Sequence, residues 1–464
     1  MRTETSILGV DNIHFIGIGG IGISAVARYY NNLGYSISGS SDSNSPLIEQ
    51  LKNEGMNIII GDDEKNIPSN TNLVIYTEAI FRKDDFDNLV TTNTEYHKAE
   101  QDNIRILSYP ESLAEIVNSK KCIAVAGSHG KSTTTSLLGI ILQDSTIGGS
   151  TIVGTQVPQF GNSNFHYEDS PYFAIEACEY RRSFLQYRPY ISIITNIDLD
   201  HLDYFKDLPD YISAFESLQN QTNGFMILNG NCPNSQKLIE TGLTTARPVS
   251  DGKPKQIWVY DKYFLNEIGE KVFFKDFELQ IPGEHIAFDA KLAYTCAKIL
   301  GLTDDYIISK LESYKGVWRR NEIIKTTENG NILISDYGHH PTEIKLTLDA
   351  IKGKYSDKKL LVVFQPHQYS RTIELITGFK NCFTSADTLI IPNIYFSRDT
   401  GEDVAKMPAE KFVKILQENN PQTIYGNGLD NTLEFIKKYD EKNPNSSIII
   451  LLGAGNVDDL RDGI

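Results

Sequence analysis

Two glycine-rich turns constrain the fold more than any other feature of this sequence. The apolar run NIHFI leads into the glycines of residues 17–22 and then into ISAVARYY, and CIAVA leads into residues 127–130 and then KSTTTSLLGIIL. A strand that ends in a glycine turn and passes into a helix is the first half of a βαβ unit. Because the two turns lie far apart in the chain, each is expected to open its own parallel sheet.

The remainder of the chain continues the alternation of strands and helices. NILISDY, LLVVFQ, TLIIPNIY and SIIILLGAG read as strands, with amphipathic stretches such as TEIKLTLDAI and AEKFVKILQE between them. A length of 464 residues suits about three domains at roughly 150 residues each. We therefore predict an α/β protein with a Rossmann-like N-terminal domain (1–118), a central P-loop ATPase-type domain (119–318) and a Rossmann-like C-terminal domain (319–464).

Composition excludes several classes of protein. Apolar types make up 40% of the chain and charged types 22%, which is ordinary for a globular protein and excludes a disordered or membrane-embedded chain. The net charge of -16 gives no general electrostatic support for nucleic-acid binding. No apolar run reaches the length of a bilayer span, and the first residues contain no long apolar stretch before a small-residue cleavage site. A cytoplasmic protein with neither nucleic-acid nor membrane partners is expected.

The first glycine turn has the spacing of a phosphate-binding loop. Gly17, Gly19 and Gly22 fit GxGxxG, with Gly20 as an additional glycine. Glycines at such a turn let backbone N–H groups and the positive helix end approach a pyrophosphate. Asp42 lies twenty residues beyond Gly22, where a dinucleotide enzyme carries its ribose-binding carboxylate. The pattern alone leaves open both nucleotide binding and a tight turn without a ligand.

The second turn, GSHGKS at residues 127–132, matches the phosphate-contacting second half of a P-loop motif. In such a loop backbone N–H groups surround the phosphates, Lys131 reaches the β- and γ-phosphates, and Ser132 offers its hydroxyl to Mg²⁺. Val125 stands where the usual motif has its first glycine, so this loop is shorter than that of most nucleotide hydrolases. A chance GK[ST] turn is the alternative.

Polar side chains also end two later strands. YFAIEACEY carries Glu176 and Glu179, and YISIITNIDLDH ends in His201. Because the carboxyl ends of parallel strands open on one edge of a sheet, Lys131, Glu176 and His201 are expected to converge. One magnesium ion on Ser132 and Glu176 and a second on His201 would suit phosphoryl transfer. A solvated histidine at a strand end is the alternative for His201 considered alone.

Several segments together resemble the Mur ligases, in the order in which that family carries them. They are HFIGIGGIGISAVA, AVAGSHGKSTTT, EACEYRRSFL, TNIDLDHLDYF, GVWRR, DYGHHPTEI, VFQPHQYSRT and LLGAG. The resemblance implies a domain for the UDP part of a substrate, a central ATPase domain and a C-terminal domain that closes over an amino acid. The first turn would then hold a UDP pyrophosphate rather than NAD.

The activity that the resemblance implies is ATP-driven ligation with Mg²⁺ or Mn²⁺ as cofactor. The lactyl carboxylate of UDP-N-acetylmuramate would form an acyl phosphate, and the amine of L-alanine would displace phosphate to give an amide, with ADP as the other product. A sibling enzyme that adds another amino acid or a peptide, and a nucleotide-sugar-binding relative without turnover, remain alternatives. An NAD-dependent dehydrogenase is a third alternative, but NAD binding at the first turn would not explain the presence of GSHGKS, Glu176 and His201.

The resemblance also assigns residues to each part of the site. For ATP they are Gly127, Ser128, His129, Gly130, Lys131, Ser132, Thr133 and Asp289, and for the UDP-sugar they are Gly17, Gly19, Gly20, Gly22, Asp42 and His129. The metal ligands would be Ser132, Glu176 and His201, and the amino-acid side would be Asp336, His339, His340 and Arg371. The residues assigned to catalysis are Lys131, Glu176, His201, His340, Arg320 and Arg371. For His340 in DYGHHP, a helix N-terminus with capping polar residues is the alternative.

The chain departs from the family pattern at four positions. Ser41 stands where an aspartate is usual, and Gln368 stands where an arginine is common. Ile286 and Asp289 replace the two asparagines that lie near adenine in the family. An amide both donates and accepts hydrogen bonds, whereas a carboxylate only accepts. An active ligase with weak ATP binding is therefore expected.

Overall fold

A computed structural model of the chain describes residues 10–83, 88–201, 204–238, 254–397 and 399–464. These residues divide into two compact units. The first contains the described residues up to Phe277 together with Asp289–Leu311, and the second contains Glu278–Phe288 with Glu312–Ile464.

The first unit begins with a parallel sheet of nucleotide-binding type. Its strands are β1 (Asn12–Ile16), β2 (Ser36–Ser41), β3 (Asn57–Ile60), β4 (Leu73–Tyr76) and β7 (Arg105–Ser108), with a separate hairpin of β5 (Arg82–Lys83) and β6 (Leu89–Val90). Its helices are α1 (Ile21–Asn32), α2 (Pro46–Asn53), α3 (Thr94–Gln101) and α4 (Tyr109–Val117). The strand order β3-β2-β1-β4-β7 reverses direction at β1, and a crevice opens at such a reversal.

Local sequence explains where these helices begin. Ser45 caps α2 by accepting a hydrogen bond from the Ile48 amide, and Ser108 with Glu111 forms a capping box at α4. Each cap satisfies backbone N–H groups that have no partner within the helix. At α1 the N-cap is Gly20, which makes no side-chain cap. The amides of the first turn of α1 therefore lack the side-chain partner that α2 and α4 have.

A larger sheet follows in the same unit. Its strands are β8 (Lys121–Ala126), β9 (Ser150–Val157), β10 (Ser163–His166), β11 (Tyr172–Glu176), β12 (Ile191–Ile194), β13 (Phe225–Asn229), β14 (Lys255–Val259), β15 (Tyr263–Leu265) and β16 (Lys271–Phe273). Its helices are α5 (Lys131–Leu142), α6 (Leu208–Gln221), α7 (Pro233–Lys237), α8 (Glu284–Ile299) and α9 (Asp304–Glu312), of which α8 begins and α9 ends with residues of the second unit. β8 lies between β11 and β12 and is parallel to both. The ends of these three strands therefore open on one edge of the sheet.

The two sheets of the first unit are joined through α1. Tyr29 on α1 packs its ring against Phe165 and Phe173 of the larger sheet, at centroid distances of 6.2 and 5.7 Å. Asn164 on β10 is fully buried, accepts a hydrogen bond from Arg28 and donates to the backbone oxygen of Ile21. The helix that follows the first glycine turn is thus fixed to the sheet that carries the second turn.

The second unit contains a third sheet. Its strands are β17 (Glu322–Thr326), β18 (Ile332–Asp336), β19 (Lys359–Phe364), β20 (Thr388–Ile391), β21 (Thr423–Tyr425) and β22 (Ser447–Leu452). Its helices are α10 (Pro341–Lys354), α11 (Tyr369–Glu374), α12 (Ile376–Cys382), α13 (Gly401–Lys406), α14 (Ala409–Leu416) and α15 (Leu429–Lys442). The order is β17-β18-β22-β19-β20-β21, and every pair is parallel except β17 with β18.

The α/β class and the three predicted sheets are confirmed. The first sheet precedes residue 118, the second begins at Lys121 and the third at Glu322, while the exact domain boundaries near residues 118 and 318 stay predictions. Among the described residues, no helix has the length and the apolar character that crossing a membrane requires.

Candidate functional site

The second glycine turn has a backbone that requires glycine at two positions. Gly127 has φ +134° and Gly130 has φ +82°, in the region that side-chain-bearing residues rarely adopt. A Cβ at Gly127 would overlap the Thr195 hydroxyl, and one at Gly130 would lie 2.5 Å from Asp289 Oδ1. The loop is therefore pressed against the end of β12 on one side and against α8 on the other.

The end of β12 holds this loop through side chains. Asn196 Oδ1 accepts a hydrogen bond from the His129 amide at 3.0 Å, and Asn196 Nδ2 donates to the His129 carbonyl at 2.9 Å. The Thr195 hydroxyl donates to the same carbonyl at 2.5 Å, and Ser128 Oγ donates to the Asp198 carbonyl at 2.6 Å. Asn196 is not among the predicted site residues, and its position just after an apolar strand is the signal that could have identified it.

Lys131 uses all of its hydrogen-bond donors within the protein. Its ammonium group donates to the carbonyls of Gly127 and Ser128 at 2.5 and 3.0 Å and to Glu179 Oε1 at 3.1 Å. Burial acts to lower the pKa of Lys131, but the nearby carboxylates of Glu179 and Glu176 outweigh it and raise that pKa above its usual value. Lys131 is therefore a cation at every physiological pH.

Glu179 is at the centre of this arrangement, although the sequence analysis assigned it no role. Its side chain is completely buried, and Oε1 accepts a hydrogen bond from the Tyr211 hydroxyl at 3.3 Å and lies 3.7 Å from His201 Nε2. Its other oxygen, Oε2, is buried and has no hydrogen-bond partner among the described residues. Tyr211 also bonds to Ser128 Oγ at 2.8 Å, so one phenol joins Glu179 to the loop.

Glu176 lies nearby but has different contacts. Its Oε2 accepts a hydrogen bond from the Gly154 amide at 2.8 Å, and the same carboxylate contributes to the raised pKa of Lys131. The structure thus brings Lys131 and His201 together through Glu179 and places Glu176 on the adjacent side toward β9. The assignment of Glu176 as a metal ligand stays a prediction.

The other two proposed metal ligands occupy the same edge of the sheet. Ser132 is buried at the start of α5, and its hydroxyl makes no hydrogen bond within the described part of the chain. His201 has φ +56°, a strained conformation for a histidine, and its ring lies 4.9 Å from that of Tyr180. A buried carboxylate oxygen without a partner, a hydroxyl and an imidazole form a donor set that fits a divalent cation.

The first glycine turn is also closely packed. Gly17 has φ +74°, and a Cβ at Gly19 would lie 2.7 Å from the hydroxyl of Ser41, where the family resemblance leads one to expect an aspartate. At Gly22 a Cβ would lie 2.8 Å from the ring of Tyr109. Asp42, one residue beyond β2, is exposed. The UDP-sugar role of these residues stays a prediction.

In the second unit Asp336 has a clear structural task. Its Oδ2 accepts a hydrogen bond from the Asn321 amide and its Oδ1 accepts one from the Gly338 amide, both at 2.8 Å. Burial raises the pKa of this carboxyl, and the Arg320 guanidinium opposes that rise. Asp336 thereby fixes two loops beside the end of β18, and any contact with an amino acid stays a prediction.

Glu343, which the sequence analysis did not select, organises the predicted amino-acid side. Its Oε1 lies 3.6 Å from Arg320 Nη1, and its Oε2 lies 3.8 Å from His339 Nδ1. His340 is the N-cap of α10, and its Nδ1 accepts a hydrogen bond from the Thr342 amide at 3.3 Å while Glu343 completes the capping box. The capping alternative is thus observed for His340, and its catalytic role stays a prediction.

This region also contains Arg319, Arg371 and Gln368, the last of which is one of the four departures from the family pattern. Arg319, the buried neighbour of Arg320, donates to the carbonyls of Gly453 and Gly455 and therefore has a structural role. Arg371 lies half-buried on α11. Gln368 is the N-cap of α11 with φ +74°, and its Nε2 donates to the Ser397 carbonyl at 2.8 Å.

Family models and known relatives match this chain over most of its length. Residues 12–121 match the model of the Mur ligase family catalytic domain, residues 125–297 the Mur ligase middle domain, and residues 319–455 the glutamate ligase domain of Mur ligases. UDP-N-acetylmuramate–L-alanine ligase of Clostridium kluyveri is 38% identical over 87% of this chain and 88% of its own length. The enzyme of the same name from Clostridium acetobutylicum is 36% identical over 96% of this chain and 95% of its own.

Solved structures show the same fold. UDP-N-acetylmuramate-alanine ligase of Thermotoga maritima superposes with a TM-score of 0.76 at 23% identity, covering 97% of both chains. A murein peptide ligase from Psychrobacter arcticus superposes with a TM-score of 0.67 at 21% identity, covering 98% of both chains. With three domain models matched in order and relatives above one third identity over nearly full length, the chain belongs to the Mur ligase family.

Proposed function

We propose that this protein joins L-alanine to the lactyl carboxylate of UDP-N-acetylmuramate at the expense of ATP, as a step in the synthesis of peptidoglycan precursors. The observation that carries the proposal is the loop at residues 127–132, with Lys131 at the carboxyl edge of a parallel sheet beside two glutamates. The choice of substrates rests on the relatives, which are named for these two compounds and match almost the entire chain.

Phosphoryl transfer from ATP to a carboxylate requires positioning and neutralisation of charge more than covalent chemistry. Lys131 supplies a fixed positive charge at the loop, and the amides of the α5 N-terminus supply donors for phosphate oxygens. Ser132, Glu176 and His201 would hold Mg²⁺ or Mn²⁺, which neutralises phosphate charge when bound. Glu179, with its unpartnered oxygen, is a further donor at the same place.

The second step is attack by the amine of L-alanine on the acyl phosphate. Asp336, His339, His340, Arg320 and Arg371 are proposed for this side. An arginine fork binds a carboxylate in a defined orientation, and a histidine can accept a proton from an ammonium group.

The decisive experiment measures ADP release with UDP-N-acetylmuramate, ATP, Mg²⁺ and each amino acid in turn. L-alanine should give the highest kcat/KM. A higher value with another amino acid or a peptide would identify a sibling ligase, and no ADP release with any amine would identify a binding protein without turnover.

A further inference from the structure

A nucleotide phosphate that binds Lys131 must displace hydrogen bonds that Lys131 already makes. An ammonium group has three N–H donors, and in this structure the three are directed at Gly127 O, Ser128 O and Glu179 Oε1. A phosphate oxygen that binds Lys131 must therefore take the place of at least one of these acceptors. Of the three, only Glu179 carries a charge.

Glu179 is held in position for this contact. The Tyr211 hydroxyl donates to Oε1, and Tyr211 itself is completely buried against Ser128 Oγ. Burial, with a contribution from Glu179, raises the pKa of Tyr211 far above its usual value, so this residue stays a neutral donor. The carboxylate thus occupies a fixed place at the loop rather than a range of positions.

We propose that Glu179 is an internal counter-ion that occupies Lys131 in the absence of nucleotide and competes with the nucleotide phosphates for it. The inference rests on the proposed binding of ATP at residues 127–132. A phosphate oxygen that displaces Glu179 separates an ion pair whose carboxylate is buried, and it also places phosphate charge next to that carboxylate. Both effects oppose binding, and both act before any cation is present.

Competition between Glu179 and phosphate would make the loop more selective for its ligand. An unpaired lysine at the loop would attract any phosphate-bearing anion, whereas a lysine paired with Glu179 responds only to a ligand that offers enough compensating interactions. When Lys131 is released, Glu179 Oε1 keeps its contacts with Tyr211 and His201, so the carboxylate stays at the loop.

The test measures the affinity for a fluorescent methylanthraniloyl derivative of ADP in EDTA, so that no divalent cation contributes. Glu179→Gln keeps the shape of the side chain and removes its charge. We expect it to bind the nucleotide at least five-fold more tightly than the wild type. Glu179→Asp, which keeps the charge but shortens the reach to Lys131, should give an intermediate affinity and decides the question if the Gln variant does not fold.

Glu95→Gln is the matched control, because Glu95 is also fully buried and hydrogen-bonded but lies on α3, beside the first sheet. Its affinity for the nucleotide should equal that of the wild type. Unchanged or weaker binding by both Glu179 variants would overturn the inference. Unchanged binding in EDTA together with a higher Mg²⁺ requirement for turnover would also overturn it, because Glu179 would then act only as a cation ligand and not as a competitor for Lys131. If the wild type itself binds no nucleotide, the proposed function fails instead.

Discussion

Asp289 offers a sharp test of how this chain binds ATP. The resemblance to the family implies an asparagine at this position, whereas here a buried carboxylate lies against Gly130 of the phosphate-binding loop. The structure therefore adds a second reason to expect weak ATP binding. Besides failing to donate to adenine, Asp289 places a negative charge close to where the phosphates bind.

The size of the effect follows from the distance. Amides of a P-loop hold phosphate oxygens about 3 Å away, and Asp289 Oδ1 lies 2.5 Å from where a Gly130 Cβ would be, so carboxylate and phosphate are roughly 6 Å apart. Two unit charges at that distance repel by about 3 kcal/mol at an effective dielectric constant of about 20. Neutralisation by Lys131 and a cation leaves about 1 kcal/mol, which corresponds to roughly a five-fold change in affinity.

We therefore expect Asp289→Asn to lower the KM for ATP several-fold and to leave kcat nearly unchanged, because an interaction equal in ground and transition states alters only binding. Steady-state kinetics at saturating UDP-sugar and amino acid measures both constants. Inhibition by tripolyphosphate, which lacks adenine, separates the two causes. Stronger inhibition of the variant indicates the charge, and unchanged inhibition indicates the adenine contact.

Asp261→Asn is the control, since it removes one exposed carboxylate from the same unit and should not change the KM for ATP. If Asp289→Asn, alone or combined with Ile286→Asn, retains the parental KM, then Asp289 affects neither phosphates nor adenine and the reasoning is refuted.

Three further predictions concern the loop, the metal and the cap. Lys131→Ala should lower kcat at least a thousand-fold while UDP-sugar binding, measured by calorimetry, stays nearly intact, and retention of a tenth of the wild-type turnover would contradict the role of Lys131. Glu176→Gln should raise the Mg²⁺ concentration needed for half-maximal activity, because an amide keeps the shape but loses the charge, and an identical metal titration would remove Glu176 from the metal site. His340→Ala should cost about 1 kcal/mol in the free energy of unfolding through loss of the N-cap, whereas His340→Asn should retain that stability. Turnover then separates the roles of His340, since a purely capping residue predicts an active Asn variant and a catalytic one an inactive variant.

The sequence could predict the sheets because their signals are local. The glycine turns at residues 17–22 and 127–130 follow apolar runs that are the observed β1 and β8. It could also predict that Lys131 and His201 converge, since the ends of parallel strands meet at one edge whatever the order of the strands. The order itself, which places β8 between β11 and β12, depends on contacts between distant segments.

The sequence could not decide which glutamate contacts Lys131. Glu176 and Glu179 both follow an apolar run, and strand periodicity ends with β11 at Glu176. Beyond that residue the path depends on backbone conformations such as φ +51° at Arg181 and +58° at Arg182, which residue type does not predict. Packing of the turn against α6 then turns Glu179 inward toward Tyr211.

Contacts with distant segments also hold the short phosphate-binding loop in shape. The loop lacks the first glycine of the usual motif, and its conformation does not follow from its own length. Instead Thr195 and Asn196 fix the His129 peptide, and Tyr211 fixes Ser128 from α6. Each of these partners is some 65 or more residues away in sequence, so the geometry that positions Lys131 exists only once the larger sheet has assembled. A local motif therefore predicts which residues bind phosphate, whereas the contacts of distant strand ends determine where those residues point.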